Sequence, residues 1–230
     1  FCMMAENIVQ VVEDHVDFTL SYEKQIVTDD FHTIYTNFVK PFDLSSAPLL
    51  RAKVVALPEN KMLLLLDMHH IISDGTSLSI LLQELCDLYN GKILPEKQIG
   101  YKDFSLWERE QLKTEEYQQA KDFWVSQFES EIPLLNMPTT FPRPSLQSFE
   151  GANYYTNLSS EMFEKINIVA KQLGITPYMF MLSAFYILLS KYTSQDDIVI
   201  GTPVANRELP ELSQMIGMFV NTLALRNKVD

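Results

Sequence analysis

An apolar run, Met62-Leu63-Leu64-Leu65-Leu66, leads through Asp67 into Met68-His69-His70-Ile71-Ile72-Ser73-Asp74-Gly75-Thr76-Ser77, and a helical pattern starts directly afterwards. A strand that must be buried, a tight polar turn and a helix are therefore compressed into a few residues. Only four histidines occur in the 230 residues, and two of them sit side by side in this turn. Histidine is the side chain whose ordinary pKa lies nearest neutrality, which suits it to moving a proton at physiological pH. A single histidine at a strand end is commonly a hydrogen-bonded structural residue. The pair is more informative, because neighbouring residues on a strand point to opposite faces. One imidazole can then face the core and orient the loop while the other faces a cavity. The same geometry keeps His69 and His70 from aiming at one ion, and no HExxH or CxxC spacing supplies further ligands. Asp74 reads as an anchor that fixes the loop through an arginine or backbone amides. Gly75 supplies a backbone conformation or a close approach that a side chain would forbid.

Strand and helix patterns alternate along the chain, with no internal repeat and no low-complexity tract. Val9 to Val12 and Phe18 to Tyr22 read as short strands. Asp29 to Lys40 reads as a helix ended by Pro41. Arg51 to Leu57 and Lys61 to Met68 form a predicted hairpin joined by Pro58-Glu59-Asn60. Leu78, Leu81, Leu82, Leu85 and Leu88 recur at helical spacing up to Asn90-Gly91, and this leucine face is expected in the core. Two more helices, Ser105 to Lys113 and Glu115 to Glu129, flank Thr114 as a cap. Trp107, Phe123, Trp124 and Phe128 are read as core aromatics, not a ligand-stacking box. Four prolines between Ile132 and Glu150 mark a linker. Beyond it come a strand at Asn153 to Leu158, a helix capped by Ser159 and ended by Gly174, and a helix opened by Thr176-Pro177. Asp197 to Thr202 and Met218 to Arg226 are the last expected strands. The implied organisation is an α/β chain with a first lobe at 1–131, an interlobe linker at 132–150 and a second lobe at 151–230.

Charge and composition exclude several functions. Net charge is −12, with no basic run of the kind that binds nucleic acid or an anionic membrane. The longest apolar helix candidate, Tyr178 to Leu189, falls short of the roughly 20 residues that span a bilayer and is expected to be buried. Two cysteines, Cys2 and Cys86, are too few for a disulfide framework, and they point to a reducing, cytoplasmic compartment.

Four segments in order carry a resemblance to a known family. MHHIISDGTS resembles the HHxxxDG signature of nonribosomal peptide synthetase condensation domains, in the chloramphenicol acetyltransferase-like superfamily. Pro41-Phe42-Asp43-Leu44 with Pro48-Leu49-Leu50-Arg51 resembles the stretch before the histidine strand. Tyr101 to Trp107 resembles the YxDFxxW segment. Ile216 to Leu223 resembles IGxFVNT and leads to Arg226, with Ile200 to Arg207 fitting just before it. Family members are about twice this long, and their SxAQxR-type and RHExxRT segments have no counterpart here. The expected architecture is thus a two-lobed chloramphenicol acetyltransferase-like fold of α+β type, incomplete at both ends.

The resemblance implies an acyltransferase in which an acceptor amine attacks a donor thioester, both substrates arriving on the 4'-phosphopantetheine arms of carrier proteins. It implies donor and acceptor peptidyl carrier proteins as partners, and an adenylation domain as neighbour in a synthetase making an antibiotic or other secondary metabolite. No covalently held cofactor, metal, nucleic acid or membrane is implied. His70, the second histidine, is the implied catalytic residue, as general base or as the group that positions the amine and stabilises the tetrahedral intermediate. Gly75 is a candidate oxyanion donor through its N–H. His69 and Asp74 are structural at the site, with Arg207 a candidate partner for Asp74 and an arginine outside the chain as the alternative. Asn221 and Thr222 are candidate tunnel-lining residues. Gly75 argues against an epimerisation domain, and the histidine pair against a heterocyclisation domain. A non-catalytic recruiting module for carrier proteins or an accessory enzyme, and a coenzyme A-dependent acyltransferase, are the alternatives. The 230-residue chain by itself is expected to be inactive or weak.

Overall fold

The computed structural model describes residues 1–24, 31–97 and 99–230. A short antiparallel hairpin comes first, β1 (Cys2–Met4) and β2 (Asn7–Val9), turning on Ala5 and Glu6, both at positive φ. Its register ends at Cys2↔Val9, so the expected strand at Val9 to Val12 contributes only its first residue. The second expected strand begins late, as β3 (Ser21–Lys24). Its position is set by parallel pairing with β4 (Leu50–Ala56) over Ser21↔Lys53 to Lys24↔Ala56. Helix α1 (Phe31–Phe38) buries Phe38, and the expected start of this helix at Asp29 lies outside the described residues.

β4 continues into β5 (Met62–Met68) through a turn whose Glu59 and Asn60 take positive φ, close to the hairpin expected from Pro58-Glu59-Asn60. The antiparallel register sets Leu50 against Met68 and Arg51 against Asp67, so the central strand β4 carries the histidine turn directly beyond its own first residue. Then follow α2 (Gly75–Tyr89), α3 (Tyr101–Gln111) and α4 (Glu115–Ser126), with Thr114 Oγ1 accepting the Tyr117 N–H as the cap of α4. α3 starts four residues before the expected Ser105. Asp103 accepts the Gly100 N–H, which closes a first turn that apolar spacing does not register.

Residues 132–150 are irregular, as their prolines predict, but so are 151–158. The expected strand at Asn153 to Leu158 is therefore a correction: among the described residues no strand pairs with it, and Tyr154 and Tyr155 stand 93% and 85% exposed. Strand-favouring residues such as Tyr and Thr give a strand only where a second strand accepts their hydrogen bonds. Helices α5 (Ser160–Leu173) and α6 (Pro177–Thr193) have the predicted punctuation. Ser159 and Thr176 accept the N–H groups of Met162 and Met179, and Gly174 takes the left-handed conformation at φ 67° that ends α5. β6 (Asp197–Val204) pairs with β7 (Asn221–Lys228). Arg226 on β7 holds both carboxylate oxygens of Asp197 at 3.0 and 2.6 Å and donates to the carbonyls of Gln127 and Glu131.

The chain forms two compact units, each built from two stretches of sequence. One contains 1–109 and 205–221, the other 110–204 and 222–230. The first has a core of Phe104, Leu212, Met215 and Phe219, with Tyr101 packed against it. The second centres on Tyr186, Leu189 and Ile198. A hydrophobic profile cannot show that residues 205–221 return to the first unit, because that choice is made by the contacts described below.

Three apolar faces expected in the core are instead solvent-facing. On α2 the buried residues are Ser77 and Ile80, whereas Leu78, Leu82, Leu85 and Leu88 are exposed. α6 buries Tyr186 and Leu189 but exposes Met179, Phe185, Ile187 and Leu188. Trp107 and Phe123 are also exposed. No single helix among the described residues is long and apolar enough to cross a membrane. Total accessible area gives the scale. The 26.5 kDa chain exposes 18750 Å². A folded protein of that mass exposes about 10,700 Å², and two independent units of half the mass about 12,900 Å². Apolar faces of this extent drive association. Made by itself, the 230-residue polypeptide is expected to self-associate, eluting ahead of its monomer in gel filtration and binding a hydrophobic dye. A dye-negative monomer would show that these faces close on one another in solution.

Candidate active site

The β4–β5 ladder runs one residue past β5, where the His69 N–H donates to the Leu49 carbonyl at 3.0 Å. Residues His70 to Ile72 then form a single 3₁₀ turn. The His69 ring caps that turn, its Nδ1 accepting the Ile71 N–H at 3.0 Å. An imidazole nitrogen that accepts a backbone N–H carries no proton, so the ring hydrogen of neutral His69 lies on Nε2. His69 is half-buried and His70 exposed, but β5 ends at Met68, so the split comes from the turn and not from strand alternation. His70 borders an open cavity of about 340 Å³ whose walls include Leu66, Met68, Gly75 and Leu78.

Behind this turn, Asp74 is the N-cap of α2. Its Oδ1 accepts the N–H and the hydroxyl of Ser77 at 2.7 and 2.8 Å, and its Oδ2 accepts the Phe219 N–H at 3.2 Å. Arg207 Nη2 lies 3.0 and 3.1 Å from the two carboxylate oxygens. Both side chains are almost wholly withdrawn from water, at 0% and 6% exposure. Burial by itself raises the Asp74 pKa, but the Ser77, Arg207 and Phe219 hydrogen bonds together outweigh it and hold the carboxyl below its ordinary value. Arg207 is in turn fixed. Its Nη1 donates to the Leu212 and Met215 carbonyls at 2.6 and 2.7 Å, and its guanidinium lies over the Phe219 ring. Of the two partners the sequence left open for Asp74, the structure brings Arg207 to it.

Ser77 and Gly217 are the residues sequence reasoning passed over. Ser77 Oγ, at the centre of this knot, accepts the Gly217 N–H at 3.0 Å and lies 2.8 Å from the Gly217 carbonyl. Both residues lie inside the segments that carried the resemblance, so the signal was present but its partner was not. Gly217 has a second reason to be glycine. A Cβ there would come 2.2 Å from Tyr101 Cδ2, and the Tyr101 hydroxyl is itself bonded to the Met218 carbonyl at 2.6 Å. Gly217→Ala is therefore expected to lose about 1–3 kcal/mol of stability, read as a lower urea midpoint. An unchanged midpoint would mean that Tyr101 swings away freely. These contacts also explain why β7 starts at Asn221 and not at Met218, since Gly217 to Phe219 are committed to Asp74, Ser77 and Tyr101.

Gly75 is a partial correction. It is the first residue of α2, it lacks the positive φ that favours glycine, and nothing in the chain lies within 4 Å of where its Cβ would stand. The chain's own packing therefore does not require glycine there, and the open space belongs to the cavity of His70. Asn221 is exposed at the start of β7. Thr222 belongs to the second unit, where it borders a shallow cavity with Trp124, Phe128 and Leu223. No group of three or more histidine, cysteine, aspartate or glutamate side chains among the described residues is placed to hold a metal ion.

A buried Asp74–Arg207 pair thus stands behind the HHxxxDG turn, and the second histidine borders an open cavity. The sequence profile of the Condensation domain family matches residues 1–230. The chain belongs to the condensation domain family. Gramicidin S synthase 2 of Aneurinibacillus migulanus is 44% identical over 221 residues, which cover 96% of this chain and 5% of the synthase. The chain thus spans a small part of the synthetases it matches. The first condensation domain of the CDA synthetase superposes with a TM-score of 0.73 at 21% identity, covering 92% of this chain and 49% of that one. The X-domain from teicoplanin biosynthesis, solved in complex with OxyB, gives 0.83 at 21% identity, covering 95% and 50%. At these identities the two structures speak to the fold, a chloramphenicol acetyltransferase-like one.

Proposed function

We propose that this condensation domain joins an acceptor aminoacyl group to a donor acyl or peptidyl group, each held as a thioester on the phosphopantetheine arm of a carrier protein. One observation carries the reading: His70 is open to a cavity on a turn that is locked from behind by Asp74, Ser77 and Arg207. The acceptor amine attacks the donor thioester carbonyl, with His70 accepting the amine proton or holding the amine in line. Collapse of the tetrahedral intermediate breaks the carbon–sulfur bond, and the released thiolate takes the proton. The product is an amide on the acceptor arm, and no enzyme-bound acyl group forms. Gly75 opens α2, so its N–H has no carbonyl within its own helix to bond, and it borders the same cavity. That makes it the candidate donor to the oxyanion. Asn221 and Thr222 are proposed to face the substrate path. An adenylation domain as neighbour in the synthetase and a cytoplasmic setting follow from the same reading.

Fold alone does not separate transfer from recruitment, since the X-domain solved with OxyB shares it. The intact turn favours transfer. The deciding test uses the intact synthetase and mass spectrometry of the carrier arms. The acceptor arm should gain the donor acyl mass from a carrier-bound donor and not from the acyl-coenzyme A. Gain from the coenzyme A thioester would identify a coenzyme A-dependent acyltransferase. Two arms that stay loaded without transfer would identify a recruiting module.

A further inference from the structure

We infer that Phe42 and Arg51 are positioning residues for the histidine turn, acting on His69 and through it on the aim of His70; the inference rests on the transfer reading above. The β4–β5 register fixes which side chains share one face at this end of the hairpin. Arg51 stands opposite Asp67, and His69 lies opposite Leu49, two residues further along each strand. Phe42, in the segment before β4, lies across that face. The Arg51 guanidinium carbon sits 3.7 Å over the centre of the Phe42 ring. The edge-on contact of Phe42 with His69 places the two ring centres 6.0 Å apart at 88°. Arg51 is held on both sides, its Nη2 donating to the Pro41 carbonyl at 3.3 Å and its Nε lying 3.4 Å from Asp67 Oδ2.

Each link has a chemical reason. A cation over the face of an aromatic ring is attracted by its quadrupole, and an edge-to-face ring pair has a defined orientation. Arg51 therefore fixes the plane of Phe42, and that plane fixes the tilt of the His69 ring. His69 Nδ1 can hold the Ile71 N–H only at one tilt, and that bond closes the 3₁₀ turn that begins with His70. The knot around Asp74 anchors the C-terminal side of the turn, and the Phe42–Arg51 pair anchors its N-terminal side. A displacement of about 1 Å at a catalytic group is worth up to about 10²-fold in rate. The contacts of the pair run to Pro41, Asp67 and His69, so its role is positioning.

The test uses the intact synthetase with both carriers loaded. Phe42→Leu and Arg51→Met should each lower the maximal transfer rate about 10- to 100-fold, with the half-saturating acceptor concentration unchanged. Phe42→Tyr keeps the ring face and edge and should transfer at close to the native rate. The double variant should be no slower than the slower single, because both act through one chain of contacts. Hydrogen exchange at the Ile71 amide gives a readout independent of transfer, and it should speed up in Phe42→Leu and stay native in Phe42→Tyr. Native Ile71 exchange in Phe42→Leu, or a Phe42→Tyr variant as slow as Phe42→Leu, overturns the inference. A native synthetase that fails to transfer removes the parent reading instead, and Ile71 exchange then still decides whether Phe42 holds His69.

Discussion

Arg207→Met will destabilise the first unit by about 3–5 kcal/mol, the cost of leaving a buried carboxylate without its counter-ion. Asp74 has no exposed side-chain surface and cannot turn to water for compensation. The loss does not stop at one ion pair, because Arg207 also ties the Leu212 and Met215 carbonyls and underlies the Phe219 ring. Asp74→Asn in the same background should recover part of it, since an amide oxygen still accepts the Ser77 N–H while the stranded charge is gone. Recovery should be incomplete, because the amide nitrogen cannot accept the Phe219 N–H that now reaches Oδ2. Urea unfolding of the native protein, the single and the double variant measures both steps. A single variant within about 0.5 kcal/mol of native, the range of ordinary surface substitutions, would show that water enters and solvates Asp74. The pH dependence carries a definite sign. The folded pKa of Asp74 lies below its ordinary value of 3.8. Its contribution is therefore fully present above that value and is lost as the pH falls through the lower, folded one. Arg207→Met should flatten this acid limb.

His70→Ala will behave in the opposite way, leaving stability almost untouched and removing about 10²–10⁴-fold of the transfer rate. The side chain is exposed at the cavity, so its truncation vacates no packed space. Residual transfer should persist, because holding two tethered substrates together supplies much of the acceleration by itself. His69→Ala is the comparison, and because His69 sets the aim of His70 it should lower the rate as well as the stability. It strands the Ile71 N–H and removes the edge of Phe42's partner ring. It should therefore lower the unfolding midpoint, at about 1–3 kcal/mol for the lost bond. Measured for both variants, the midpoint separates them, since only His69→Ala should lower it, while both should lower the rate. A His70→Ala domain that transfers at the native rate would rule out His70 as the proton acceptor.

Much of this was legible because it is local. The hairpin turn at Glu59-Asn60, the Ser159 and Thr176 caps and the Gly174 stop all depend on residues within a few positions of one another. The different exposure of His69 and His70 was read from strand geometry, but the structure sets it by the 3₁₀ turn that begins at His70. Family membership was legible for a different reason, since four motifs in order identify a fold without deriving it. The failures share one cause. Leucines at helical spacing on α2 show that one face is apolar, not that a partner covers it, and the residues that are buried there are Ser77 and Ile80. Asn153 to Leu158 was read as a strand, but no strand among the described residues pairs with it. What only tertiary structure decided is the union of Asp74 and Ser77 with residues 133 to 145 positions away, in Arg207, Gly217 and Phe219. No window of sequence contains both halves of that contact, and whether a buried carboxylate is an anchor or a liability depends on whether the other half arrives.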